Sequence, residues 1–236
     1  AFTAQSTDWD ILGQTGGPTQ GITVQGNYAY IGVGPRLVVV DISDPSNARQ
    51  VGATAMLGDF VLDVMVSGTL AYVAAGGAGL QVVDITNPLA PALVGVWDSP
   101  GFAEGVTVSG SIVYLADGPY GLRVVDVTNP AEPFEIAHAF GMNYAYAVAV
   151  SGRYAYIAAG GAGLLVIEIS NPLYPIEAGA YDTPGNARGL TVLNNLAYVA
   201  DERSGLQIIN VTDPLHPAFS GALLTYGWAF DVAISG

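Results

Sequence analysis

The stretch "GLQVVDITNP" (Gly79–Pro88) returns as "GLRVVDVTNP" (Gly121–Pro130) and again as "GLLVIEISNP" (Gly163–Pro172), at a step of 42 residues. Two diverged copies flank these three, "RLVVVDISDP" (Arg36–Pro45) and "GLQIINVTDP" (Gly205–Pro214). A period of this length fixes the architecture before any single residue is read for chemistry. Each unit is one small element that buries its apolar face only against its neighbours.

The phase extends beyond the quoted stretch. Tyr30, Tyr72, Tyr114, Tyr156 and Tyr198 keep it, as do Gly26, Gly68, Gly110, Gly152 and Gly236, with Asn194 in the remaining slot. One unit holds four short apolar runs: "DVMVSG" (A, Asp63–Gly68), "LAYVAAG" (B, Leu70–Gly76), "GLQVVDI" (C, Gly79–Ile85) and "ALVGVWD" (D, Ala92–Asp98). The runs are rich in β-branched and aromatic residues and are separated by Gly, Pro, Asn or Ser, the pattern of strands and turns. No window carries a helical period. Pro45, Pro88, Pro130, Pro172 and Pro214 follow run C, and Pro91, Pro133, Pro175 and Pro217 stand three residues further on. Proline gives no N–H to a ladder, so these pairs belong between strands.

Four strands per unit of about 40 residues predict an all-β fold, a β-propeller of four-stranded antiparallel blades. The chain reads as one domain over residues 1–236, with blades at about 21–57, 61–98, 103–140, 145–182 and 187–225. A lone outer strand is expected near 9–15, where "WDILGQ" (Trp9–Gln14) matches a D run, and a lone inner strand at 229–236, where "DVAISG" matches an A run. Together they imply six blades. Runs B and C of the sixth are missing from the sequence, so that blade is expected to be incomplete, cut short or finished by a neighbouring chain through open strand edges.

Composition narrows the function classes. The chain is 51% hydrophobic with a net charge of −14, six arginines, no lysine and no cysteine. No basic patch suits nucleic acid. Lysine-dependent covalent and phosphate chemistry is ruled out, as are disulfides, thiolate metal sites and cysteine nucleophiles. No apolar run reaches the ~18 residues of a transmembrane helix. The start "AFTAQS" resembles the mature end left by a removed signal sequence, so an extracellular or cell-surface location is expected.

The C runs, with their "AYVA"-type B runs, resemble the LVIVD repeat along almost the whole chain. That resemblance implies a β-propeller on exported or surface-attached bacterial or archaeal proteins. It implies little about a ligand, because fold does not dictate function.

Positions that recur in every unit hold blades together, and positions that vary are free to bind. Asp41, Asp84 and Asp126, with Glu168 and Asn210, close run C and are expected to accept backbone N–H groups in the following turn. The five tyrosines are expected to pack between blades. The D-to-A loops vary: one slot holds Pro18, Phe60, Phe102, Tyr144, Asn186 and Trp228, and the slot two residues on holds Gln20, Leu62, Glu104, Tyr146, Arg188 and Phe230. The B-to-C loops vary too and add Tyr120 and Arg203. In propellers these two loop sets share one face. The candidate binding residues are therefore Phe60, Phe102, Glu104, Tyr120, Tyr144, Tyr146, Arg188, Arg203, Trp228 and Phe230. The first slot is also expected to wedge between blades, and the second to form an exposed rim.

No catalytic set, metal site or cofactor motif is read. His138 and His216 occupy unrelated repeat positions, and no nucleophile motif appears. The expected function is a non-enzymatic surface propeller for adhesion, scaffolding or assembly, with a protein partner or self-assembly. A glycan-binding, lectin-like module is the alternative. A hydrolase using a channel-mouth carboxylate such as Asp63, Glu104 or Asp231 is a third reading.

Overall fold

The computed structural model describes residues 19–234. The expected outer strand at Trp9–Gln14 lies outside the described residues. The first blade is β1 (Thr19–Gln25), β2 (Tyr28–Val33), β3 (Arg36–Asp41) and β4 (Arg49–Ala53); the second is β5 (Asp63–Ser67), β6 (Leu70–Ala74), β7 (Leu80–Asp84) and β8 (Ala92–Trp97). The third is β9 (Gly105–Ser109), β10 (Ile112–Ala116), β11 (Leu122–Asp126) and β12 (Phe134–Ala139). The fourth is β13 (Ala147–Ser151), β14 (Tyr154–Ala158), β15 (Leu164–Glu168) and β16 (Ile176–Tyr181). The fifth is β17 (Gly189–Leu193), β18 (Leu196–Ala200), β19 (Leu206–Asn210) and β20 (Ala218–Leu223). All five sheets are antiparallel meanders in chain order, and the first strands β1, β5, β9, β13 and β17 pack successively against one another. This is a β-propeller with the first strand of each blade innermost.

Local chemistry sets the tight turns. Between β5 and β6, Ser67 pairs with Leu70 and Gly68 takes φ +60°, the geometry of a glycine-led hairpin. In the fifth blade the same turn is Asn194–Asn195, both at positive φ (52° and 60°), a conformation asparagine tolerates. After β3, β7, β11 and β19 the side chains of Asp41, Asp84, Asp126 and Asn210 accept the N–H two residues on, at 2.7–3.0 Å. Glu168 instead accepts the Ser170 hydroxyl at 3.0 Å. The Thr86 and Thr128 hydroxyls together with these N–H groups hold the carboxyls of Asp84 and Asp126 below the usual range, and the Ser43 N–H and hydroxyl do the same for Asp41.

The core is a set of seams between sheets. Tyr30, Leu37 and Val39 of the first blade pack on Val64, Val73 and Val83 of the second. Tyr72, Leu80 and Val82 meet Val106, Leu115 and Val125 of the third in the same way. Tyr114 and Tyr156 head the next two seams. Burial raises the pKa of all four tyrosines.

At the outer rim the seam is closed by backbone. Each outer strand bulges where a small residue faces the third strand, as in Val82↔Gly95 and Val166↔Gly179. In the first, second and fourth blades that residue is glycine, and the carbonyl of the next blade's prolyl turn sits on it. A Cβ on Gly52 would lie 2.1 Å from Pro88 O, one on Gly95 2.0 Å from Pro130 O, and one on Gly179 2.4 Å from Pro214 O.

The expected lone inner strand at 229–236 takes a different form. Ala229 bridges to Glu202, but residues 231–234 form no strand. Among the described residues they have no second strand to ladder with. No helix of the described residues is long and apolar enough to cross a membrane.

Gly95→Val is expected to destabilise the chain by about 3 kcal/mol in urea unfolding, because backbone atoms occupy the space its side chain needs. A neutral result would refute the seam.

Candidate binding face

The D-to-A and B-to-C loops meet on one face because backbone ties them across each seam. Gly76 and Ala103 exchange both N–H bonds, at 3.1 and 2.9 Å. Gly118 with Ala145, Gly160 with Ala187 and Glu202 with Ala229 repeat the exchange. Glycine serves at the first three because φ there is +48° to +58°; Glu202 adopts +46° in the fourth.

Within a blade the same loops are tied in two ways. In the second blade Asp59, on the D-to-A loop, accepts the Gly77 N–H at 2.8 Å. In the third, Asp117 on the B-to-C loop accepts from Ser99 Oγ at 2.6 Å and from Gly101 N at 3.1 Å. The fifth repeats this with Asp201, Thr183 Oγ1 at 2.7 Å and Gly185 N at 2.8 Å. Both aspartates are fully buried, and that burial raises their carboxyl pKa. Arg123, 3% exposed, joins Asp117 to Glu135 at 3.3 and 3.0 Å. Sequence reasoning missed this pair of aspartates. The signal was the joint return of Ser99/Asp117 as Thr183/Asp201 two blades later, against Leu57/Ala75 in the blade before and Gly141/Ala159 in the blade between.

Over this framework runs a belt across three blades. Tyr144 donates its hydroxyl to Glu104 Oε1 at 2.8 Å. Its ring stacks on Tyr146 with centroids 4.4 Å apart. Arg188 covers Tyr146 at 4.0 Å and donates Nε–H to Glu202 Oε1 at 2.6 Å. Asn186 Nδ2 donates to the same oxygen at 2.9 Å. Of the second loop slot, expected as an exposed rim, Gln20 and Phe230 are exposed, whereas Glu104, Tyr146 and Arg188 are half-buried and interlocked. Both faces of Tyr146 are occupied. Burial pushes the Glu104 carboxyl up, and burial together with Glu104 pushes the Tyr144 phenol up. The Asn186 and Arg188 bonds hold Glu202 down.

The other predicted residues flank the belt. Phe60 and Phe102 are 47% and 37% exposed. These two rings stay exposed, and Phe102 lies across the neighbouring loop, where a Cβ on Gly76 would come 3.0 Å from its Cζ; Tyr144 and Asn186 of the same slot are half-buried against the preceding loop. Trp228 and Phe230 are exposed, 5.8 Å apart, and Arg203 lies over Trp228 at 5.1 Å. Tyr120 is exposed beside Arg123.

The three carboxylates of the hydrolase reading are engaged in structure. Glu104 holds Tyr144. Asp63 accepts Val64 N at 2.8 Å and, across the seam, Val106 N at 2.9 Å; Asp231 accepts Val232 N at 2.8 Å. His138 pairs with Glu135 on β12, and His216 with Asp213 in the last prolyl turn. Among the described residues no three His, Asp or Glu are grouped to hold a metal.

Four-stranded blades of this kind, repeated with their first strands innermost, define a β-propeller. Within it, the LVIVD repeat profile matches residues 16–54, 60–99, 100–138, 143–183 and 184–225, and the chain belongs to the LVIVD repeat family. No curated protein sequence matches it. Among solved structures it is similar to the computationally designed Ika8 protein, with TM-score 0.70, 10% identity, and coverage of 92% of this chain and 65% of that one. It thus spans less than two thirds of that protein's length. It is also similar to the β-propeller domain of Cps50 (Swd1) from Myceliophthora thermophila, with TM-score 0.68, 12% identity, and coverage of 89% and 73%. A putative 6-phosphogluconolactonase from Bacteroides uniformis matches with TM-score 0.75, 11% identity, and coverage of 88% and 71%. At these identities the likeness is one of fold.

Burial pushes the Asp63 carboxyl up to about 6, backbone N–H bonds oppose the shift, and Asp231 adds to it. The folded state therefore holds this proton more tightly than the unfolded chain, and the contribution to stability falls as pH rises from about 4 to about 6. The melting temperature of Asp63→Asn minus that of the parent should increase over that window and level off above it. A flat difference would remove Asp63 as the cause.

Proposed function

We propose that the protein is a non-enzymatic binding module that engages a protein partner through its aromatic loop face. The observation that carries this reading is the belt Glu104–Tyr144–Tyr146–Arg188–Glu202, flanked by exposed Phe60, Phe102, Trp228 and Phe230. Aromatics and arginine on rigid elements are the composition of energetic anchors at protein interfaces. The belt pre-organises the face, so little side-chain freedom remains to be lost on binding. The engagement of Glu104 and Asp63 in structural bonds favours binding over hydrolysis.

A lectin-like role is favoured by Phe60 and Phe102, whose exposed rings suit stacking on sugar faces. It is disfavoured at Tyr146, whose two faces are already covered.

A photo-crosslinking side chain placed at Phe102 should yield discrete protein adducts on cells that express the protein, whereas one at Val96, exposed on an outer strand, should not. Equal labelling from both positions would refute the loop face. Binding on a glycan array that is lost in Phe102→Ala would replace the protein partner by a saccharide.

A further inference from the structure

Two guanidinium groups at the loop face are held between an aromatic ring and a carboxylate. Arg188 lies 4.0 Å over Tyr146 and donates to Glu202 at 2.6 Å. Arg123 lies 5.0 Å over Phe140 and meets Asp117 and Glu135 at 3.3 and 3.0 Å. The ring attracts the flat side of the cation through its quadrupole, and the carboxylate takes the N–H groups at its edge.

A third pair of this kind lies where the loops of the second and third blades meet. Asp59 accepts the Phe60 N–H through Oδ1 and the Gly77 N–H through Oδ2, both at 2.8 Å. These bonds fix the carboxylate and leave about half of its roughly four acceptor sites open. A Cβ on Gly76 would lie 2.8 Å from Asp59 Oδ2 and 3.0 Å from Phe102 Cζ. Gly76, at φ +48°, thus lets the carboxylate and the exposed Phe102 ring converge over bare backbone.

Asp59 is particular to this blade, because its slot holds Gly17, Gly101, Asn143, Gly185 and Gly227 in the other repeats. Tying the loops does not by itself require a carboxylate that reaches solvent. In the third and fifth blades buried Asp117 and Asp201 make the tie from the opposite loop.

No arginine of the sequence fills this third pair. All six lie among the described residues, and the four besides Arg123 and Arg188 are engaged elsewhere. Arg36 donates to Thr54 O, Arg49 and Arg153 face Asp41 and Glu168, and Arg203 lies over Trp228. The sequence holds no lysine, and its net charge of −14 draws cationic partners toward the molecule.

We propose that Asp59 and Phe102 form a site for an arginine side chain of the protein partner. The guanidinium lies against the Phe102 ring and gives N–H groups to the open side of the Asp59 carboxylate, as Arg188 does with Tyr146 and Glu202. A planar fork serves ring and carboxylate together, where a lysine ammonium offers a point charge. The site names the chemistry of the partner and rests on the loop-face reading.

The test is an NMR titration of the isotope-labelled full chain with N-acetyl-arginine amide, followed at the Gly76 and Gly77 amides. Saturable shifts are expected. Asp59→Asn keeps the shape and one acceptor oxygen, and should weaken the affinity about fivefold. Phe102→Ala, at an exposed ring, should weaken it about threefold. Asp182→Asn removes the same charge from an exposed position on the fourth blade and should change nothing. N-acetyl-lysine amide should bind more weakly than the arginine probe. Equal weakening by Asp59→Asn and Asp182→Asn would overturn the site, by reducing it to diffuse charge attraction. Equal affinity for the lysine probe would overturn the assignment to arginine. If protein adducts form from Phe102 while the arginine probe gives no saturable shift, this site falls and the loop-face reading stands; if neither is seen, both fall.

Discussion

A four-stranded sheet of these short strands has two faces to cover and too little chain to cover either. Its first and second strands pack on the next blade, and its outer strand accepts a carbonyl from that blade's prolyl turn. The approach is so close that at Gly52, Gly95 and Gly179 any side chain would overlap backbone. The buried tyrosine of each seam and the loop-to-loop bridges follow from that contact. Each blade is therefore only as stable as its neighbours allow, as expected for an architecture whose units interact mainly with the adjacent repeat.

The loop face inherits its rigidity from the seams. Its loops are held at both ends by backbone pairs and in the middle by buried carboxylates. Asp117 and Asp201 are tolerated in the interior because hydroxyl and amide donors surround their oxygens; an unpaired carboxylate there would cost several kcal/mol. On that base, Arg188 and the tyrosines lock together instead of waving in solvent. The result is a polar, rigid centre with apolar rings at its margins.

Much of the fold was legible because the strand period and the turn residues repeat in phase. The acidic or amide residue that closes each C run and the glycine or asparagine that opens each hairpin act through neighbours in sequence, so their roles can be read locally. The belt could not be read that way. Glu104, Tyr144 and Arg188 lie on separate loops, and their slots look merely variable along the chain. Their bonds arise only when three blades are brought side by side. Likewise Asp117 and Asp201 look like ordinary loop residues until the D-to-A hydroxyls are set against them.

By itself the sequence determined the repeat, the strand order within each blade, the turn chemistry and the family, because all of these depend on spacing along one chain. The tertiary structure alone decided which variable residues are exposed and which are interlocked. It also decided which glycines meet backbone. Those properties depend on atoms contributed by the adjacent blade, whose distance along the sequence says nothing about its distance in space.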